Sequence, residues 1–236
     1  MMAGPRPGRQ RRGAEWAMLL DEGLRERVVN NLRALPVQRA PHGPQRAAAV
    51  AVALVEEGTG AEVDGIARPA GWSGEAALLL TRRALTLSSH AGQWALPGGL
   101  IDEDEAPEAA ALRELEEEVG LRIAAADVLG TLDDYVSRSG FVITPVVVWA
   151  GAARTLVPNP GEVASVHRLP VTEFMRADAP LLEPSEDAGR QILRMPVGRS
   201  WIAAPTAAVL YQFREVCIAG RLTRVAHFDQ PVFARR

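Results

Sequence analysis

Glu114, Glu117 and Glu118 stand at i, i+3 and i+4 within PEAAALRELEEEVG, residues 107–120. On a helix of 3.6 residues per turn, that spacing brings three carboxylates to adjoining positions of one face. Like charges so placed repel, and they weaken the helix unless something positive sits among them. Clustered carboxylate oxygens suit hard divalent cations such as Mg²⁺ or Mn²⁺. Between Asp102 and Glu118 the chain carries nine acidic residues and a single arginine, Arg113. Arg113 follows Glu105 by eight residues and can reach back to tie the preceding loop to the helix. The plain alternative is a solvated acidic face, the ordinary fate of a charge run.

The elements that must position these groups can be read around them. Pro107 suits a first helical position, Glu108 favours the positive end of the helix dipole, and Gly120 suits the C-terminal cap, so a helix is expected over 107–119. Leu112, Leu115 and Val119 occupy the rest of its circumference and can pack on a sheet. A second helix is expected over 20–34, where Leu24, Val28 and Leu32 form a stripe that Leu35 extends before Pro36 stops it. AAAVAVALVEE and the run around LLLTRR read as buried strands, joined by a long glycine-rich connection. GQWALPGGLI holds a strand fragment and a glycine turn. VLGTLDDYVSRSGFVITPVVVWA reads as two strands joined around SRSG, and VASVHRLPVTEFM as a short strand and a short helix. A late helix begins near Thr206, and the end of the chain reads as a strand or an arm. Such an order fits an α/β (α+β) fold, with a mixed sheet sandwiched between helices.

Composition sets the bounds. The chain has 236 residues, 47% of them hydrophobic, and a formal net charge of -3. That balance does not suggest a nucleic-acid chain as partner. Residues 1–18, with Arg6, Arg9, Arg11 and Arg12, read as a flexible basic leader, and 19–236 as a single domain with an extension from about residue 216. The single cysteine, Cys217, excludes a disulfide within the chain and points to a cytoplasmic protein. No apolar run reaches the roughly 18 residues that a membrane span requires.

The full spacing is more specific than the helix alone. Gly99, Glu105, Arg113-Glu114-Leu115, Glu117-Glu118 and Gly120-Leu121 fall at the intervals of the Nudix box, and the segment resembles that motif at every constrained position. The resemblance implies the Nudix hydrolase fold, a divalent metal (Mg²⁺ or Mn²⁺), and cleavage of a diphosphate joined to another group. By position it implies metal ligation by Glu114, Glu118 and Glu117 and by the carbonyl of Gly98. It also implies an orienting Arg113–Glu105 salt bridge, and a backbone at Gly98 and Gly99 held close to phosphate, where a Cβ would intrude. Glu114, Glu117 and Glu162 remain open as the general base.

Upstream, Leu79-Leu80-Thr81, Arg83-Ala84, Gly92 and Pro97-Gly98-Gly99 resemble the signature of the coenzyme A pyrophosphatase branch of that family. Ser88 stands where the pattern has arginine, and Leu96 where it has phenylalanine. The likeness runs over about residues 20 to 215. It implies hydrolysis of coenzyme A or acyl-CoA to 3′,5′-ADP and (acyl-)4′-phosphopantetheine. The alternatives are another Nudix specificity, such as ADP-ribose or NADH, and a module that binds a nucleotide without cleaving it. Arg83, Gly98, Gly99, Asp134 and Arg138 are the expected substrate contacts, with Asp133, Tyr135 and Ser139 nearby in sequence. Glu162 follows the turn PNPG and opens a strand, a place where a loop carboxylate can overlook a sheet edge. His90 reads as structural, and His42, His167 and His227 lack metal-ligand spacing. The final twenty residues either cap a homodimer interface or complete this domain.

Overall fold

The computed structural model describes residues 17–41, 43–87, 90–187 and 189–231. The arginines of the basic leader, together with His42 and Ser88, lie outside the described residues. In chain order the elements are α1 (Glu22–Ala34), β1 (Arg46–Gly58), β2 (Ser73–Arg83), β3 (Trp94–Ala95), β4 (Gly98–Leu100), α2 (Pro107–Val119), β5 (Val128–Thr131), β6 (Tyr135–Val136) and β7 (Phe141–Gly151). They continue as β8 (Val163–Pro170), α3 (Val171–Phe174), β9 (Leu181–Pro184), β10 (Gln191–Val197), β11 (Ser200–Ala203), α4 (Thr206–Phe213) and β12 (Phe228–Asp229). A π-helical turn, Arg214–Ile218, prolongs α4.

β1 is the spine of the larger sheet. It runs parallel to β7 from Arg46↔Phe141 to Val55↔Gly151. Its other edge is shared: Ala48–Val50 pair antiparallel with β4, and Leu54–Gly58 pair antiparallel with β2. The sheet therefore forks where β4 and β2 part. β8 lies on the far side of β2, and β5 and β6 pair with β7. The sheet is mixed, as the sequence suggested. The two glycines, however, do not form a turn. Gly98 and Gly99 are strand residues of β4, opposite Val50 and Ala49.

Alternation along β1 builds two cores. Ala49, Ala51, Ala53 and Val55 face α2, where Ala110, Ala111, Leu115 and Val119 are buried. Val52 and Leu54 face the opposite layer, with Leu24, Val28 and Leu32 of α1 and Val209, Leu210 and Phe213 of α4. Period-2 alternation against period-3.6 stripes fixes which side of the sheet each helix covers. α1 starts at Asp21, whose carboxylate accepts the Leu24 N–H at 2.9 Å. α2 starts at Pro107 and ends at Gly120, with φ of 69° and its N–H donated to the Glu116 carbonyl. Cys217 is fully buried in the second core, in the apolar packing expected for it.

Residues 181–203 carry strands that the sequence pattern does not mark. They form β9, β10 and β11, a small second sheet that β12 joins by pairing with β10. Met18, Leu19 and Leu20 bond to the start of β2, through Ala76 N–H to the Met18 carbonyl, the Leu19–Glu75 bridge and Leu20 N–H to the Gly74 carbonyl. Among the described residues no helix is long and apolar enough to cross a membrane.

Candidate active site

The loop between β4 and α2 is fixed by Arg113. Its Nε and Nη2 each donate to Glu105 at 3.0 Å, a fork-to-fork pair. Nη2 also donates to the Leu100 carbonyl at 2.9 Å, and Nη1 to Glu114 at 2.8 Å and Glu117 at 3.2 Å. Glu105 in turn accepts the Asp102 N–H at 3.0 Å. One guanidinium thereby ties strand, loop and helix together. The Arg113–Glu105 contact expected from sequence is present.

Glu114 and Glu118 lie on the side of α2 that meets β4, and both are buried. Glu162 arrives from the loop before β8 and is exposed. Ligand oxygens of these three residues all lie within 4.8 Å of one another. Burial pushes the Glu114 carboxyl above its usual range, against the pull of Arg113. Burial, followed by the charge of Glu114, pushes Glu118 up to about 8, although Arg83 and the Gly98 N–H draw it down. Two buried carboxyls beside a third carboxylate form a site that resists its own negative charge, and a cation relieves that resistance. Glu117 lies elsewhere on the helix surface. Its side chain is 54% exposed, it pairs with Arg113, and it stays outside the group of three.

The glycines are required by close approach. A Cβ on Gly99 would collide with the Glu114 carboxylate, and one on Gly98 with the Ala49 carbonyl and, at 2.7 Å, the Val50 Cα. The donor set and this cradle fit a hard divalent cation, which carboxylate oxygens of this group would hold.

Asn159, which the sequence marks only as part of a turn, organises the third carboxylate. Its N–H donates to the Glu118 carbonyl at 2.8 Å, and the Val157 N–H donates to the Val119 carbonyl at 2.9 Å. These bonds cap free carbonyls at the end of α2. The Asn159 side-chain amide then reaches Glu162 at 3.3 Å. The Glu162 carbonyl accepts the Ala84 N–H at 2.8 Å, so the same loop is also pinned to the end of β2. The visible signal was PNPG, a turn sequence whose asparagine can cap as well as turn.

A cleft of about 530 Å³ opens beside Gly98 and Gly99. Its polar rim includes Arg83, His90, Gln93 and Ser139, and Phe141 and Ile143 form part of its apolar wall. Ala48 and Val50 form its floor, so it lies on the α4 side of the sheet. Arg83 ends β2 opposite Val163, next to Glu162.

Two expected substrate contacts lie elsewhere. Asp134 accepts from Arg39 at 2.9 Å, the Ala40 N–H at 3.0 Å and Thr144 at 2.8 Å, and it fastens the segment after α1 to β7. Arg138 pairs with Asp187 and Asp229. Asp133 is buried against Arg224 and Gln212, and the Tyr135 hydroxyl donates to the Phe228 carbonyl. These three join the hairpin region to the end of the chain. His167 is buried between Ser165 and the Ala61 carbonyl, a structural role.

A family model described as NUDIX domain matches residues 66–192. The Nudix hydrolase NudL of Photorhabdus laumondii is 46% identical over 99 residues, 42% of this chain and 53% of that one. NudL of Pectobacterium atrosepticum is 39% identical over 143 residues, 57% of this chain and 72% of that one. The chain therefore spans about half the length of the first relative and nearly three quarters of the second. Among solved structures, a MutT/nudix family protein from Enterococcus faecalis is similar, at TM-score 0.49 and 18% identity over 73% of this chain and 62% of that one.

Proposed function

The chain belongs to the Nudix family, and from that premise we propose that it is a divalent-metal-dependent hydrolase of a nucleoside diphosphate-linked substrate, with coenzyme A or acyl-CoA as that substrate. The observation that carries the reading is the convergence of Glu114, Glu118 and Glu162 beside Gly98 and Gly99, at the edge of a cleft. When bound there, Mg²⁺ or Mn²⁺ would offset charge on the phosphoryl oxygens and make water more acidic.

The chain's own residues do the rest. Arg113 holds the Glu105 loop and the start of the helix in register, so that the carboxylates stay in place. Gly98 and Gly99 line the cleft, and the missing side chain of Gly99 leaves room for the Glu114 carboxylate. Glu114 and Glu118 are the cation ligands. Glu162, the exposed member of the group, takes the proton from the attacking water. Arg83, on the cleft wall beside the carboxylates, faces the diphosphate charge.

The coenzyme A assignment is supported by the signature over residues 79–99, whose Arg83, Gly98 and Gly99 line this cleft. Products would be 3′,5′-ADP and (acyl-)4′-phosphopantetheine. Coenzyme A, acetyl-CoA, NADH, ADP-ribose, diadenosine polyphosphates and 8-oxo-dGTP, assayed with Mg²⁺ and with Mn²⁺, test it directly. The expected result is turnover of the coenzyme A compounds at least about tenfold above the others in kcat/KM, a difference of about 1.4 kcal/mol. A preference for ADP-ribose would remove the branch assignment.

A further inference from the structure

Beside the Phe141 end of the cleft, away from the carboxylates, lies a second feature. Arg46, the first residue of β1, lies with its guanidinium 5.5 Å from the centroid of the Phe141 ring. Phe141 lines the cleft, and Arg46 is exposed. Of the other arginines around the site, Arg83 stands at the carboxylate end of the cleft, and the rest are engaged: Arg113 by Glu105, Arg138 by Asp229, Arg39 by Asp134 and Arg82 by the Gly92 carbonyl. Arg46 has no carboxylate partner among the described residues.

The register gives its distance from the chemistry. Val50 is opposite Gly98, and Arg46 is opposite Phe141. Four residues of extended chain separate the two positions, about 13 Å at about 3.3 Å per residue. Arg46, Ala48 and Val50 alternate onto the same face, and Ala48 and Val50 form the cleft floor. A nucleoside diphosphate, extended from its outer phosphate to its base, covers a comparable length. An aromatic ring backed by a guanidinium offers a base a stacking surface and a nearby anion a positive charge. Ser139, on the turn before Phe141, adds a hydroxyl at the same end.

We infer that Arg46 and Phe141 form a specificity subsite for a 3′-phosphorylated adenosine, with Phe141 stacking on the base and Arg46 pairing with the ribose 3′-phosphate. The inference deepens the coenzyme A reading of the same cleft and rests on it. It turns a cleft that any nucleotide can enter into one that distinguishes 3′,5′-ADP from 5′-ADP by a single phosphate.

Calorimetric titration of the full chain with 3′,5′-ADP and with 5′-ADP, in the presence of Mg²⁺, tests it. Wild type should bind 3′,5′-ADP about tenfold more tightly, the scale of one charge-assisted contact at an exposed rim. In Arg46→Gln that ratio should fall towards one, and Arg46→Lys, which keeps the charge, should restore part of it. Equal binding of the two nucleotides by wild type would overturn the subsite, as would a wild-type ratio in Arg46→Gln. Turnover of coenzyme A, measured in parallel, separates this outcome from failure of the hydrolysis reading. A chain that shows the ratio but cleaves no coenzyme A keeps the subsite and loses the reaction. A chain that cleaves coenzyme A without the ratio loses the subsite alone.

Discussion

Glu118 is the residue at which folding and function oppose each other most directly. Its carboxyl sits at about 8 because it is buried beside Glu114. A folded-state value above the unfolded one contributes stability that is complete below the unfolded value and is lost as pH rises through the folded one. The metal-free protein should therefore lose stability between about pH 4.5 and 8 on account of this group. Glu118→Gln cannot ionise, so it should flatten that slope and stabilise the metal-free protein by about 2 kcal/mol at pH 8. It should also lower turnover by orders of magnitude and weaken binding of Mg²⁺ and Mn²⁺. Thermal melts across pH, with and without metal, check the first part, and a steady-state assay checks the second. Wild-type turnover with unchanged metal dependence would remove Glu118 from the site.

At the scale of elements, α2 was legible because several local signals agree within it. Pro107, Gly120, the Leu112–Leu115–Val119 stripe and the carboxylate spacing all point to one helix, and it spans Pro107–Val119. β9, β10 and β11 are less legible: β9 and β11 span four residues each, and β10 carries Pro196, a residue that argues against a strand interior. The two glycines were read as a turn because glycine pairs usually are one. Here they serve close approach within a strand, a requirement set by Val50 and Glu114, which lie far away in sequence. Glu162 belongs to this scale as well, because its loop is fastened to both α2 and β2. Glu162→Gln should depress kcat by about 100-fold or more if the group is the base, with the metal midpoint little changed. A parallel loss of metal affinity would make it a ligand instead. Full activity would return the base to Glu114 or Glu117.

At the scale of the whole molecule, the end of the chain closes over the hairpin that leads into β7. Arg224 reaches Asp133, Tyr135 reaches the Phe228 carbonyl, and Asp229 with Gln230 holds Arg138. Of the expected substrate contacts, Arg138 is engaged by this closure, while Asp134 is engaged by Arg39, the Ala40 N–H and Thr144. A polar cluster in a loop reads the same way whether it awaits a ligand or a distant piece of its own chain. Burial alone would raise the Asp229 carboxyl, but Ser185, the Gln230 N–H and Arg138 outweigh it and hold the group at about 2. Its contribution is thus present above the unfolded value of 3.8 and is lost as pH falls towards about 2. Asp229→Ala should cost about 2 to 3 kcal/mol at pH 7, read as a lower Tm. It should also weaken nucleotide binding, since Ser139 and Phe141 stand on the hairpin it steadies. An unchanged Tm would show that the clasp contributes little.

The bonds from Val157 and Asn159 to the end of α2 have a consequence for solvent exchange. Residues 152–159 contain no regular secondary structure, and amides in such a stretch ordinarily exchange with water quickly. These two N–H groups instead donate to Val119 and Glu118, so their exchange is governed by the opening of the helix end. A cation among Glu114, Glu118 and Glu162 would relieve the repulsion across that junction and steady both of its sides. Two slow amides in an otherwise irregular loop would then become slower still, and deuterium uptake there would register the metal from the backbone side.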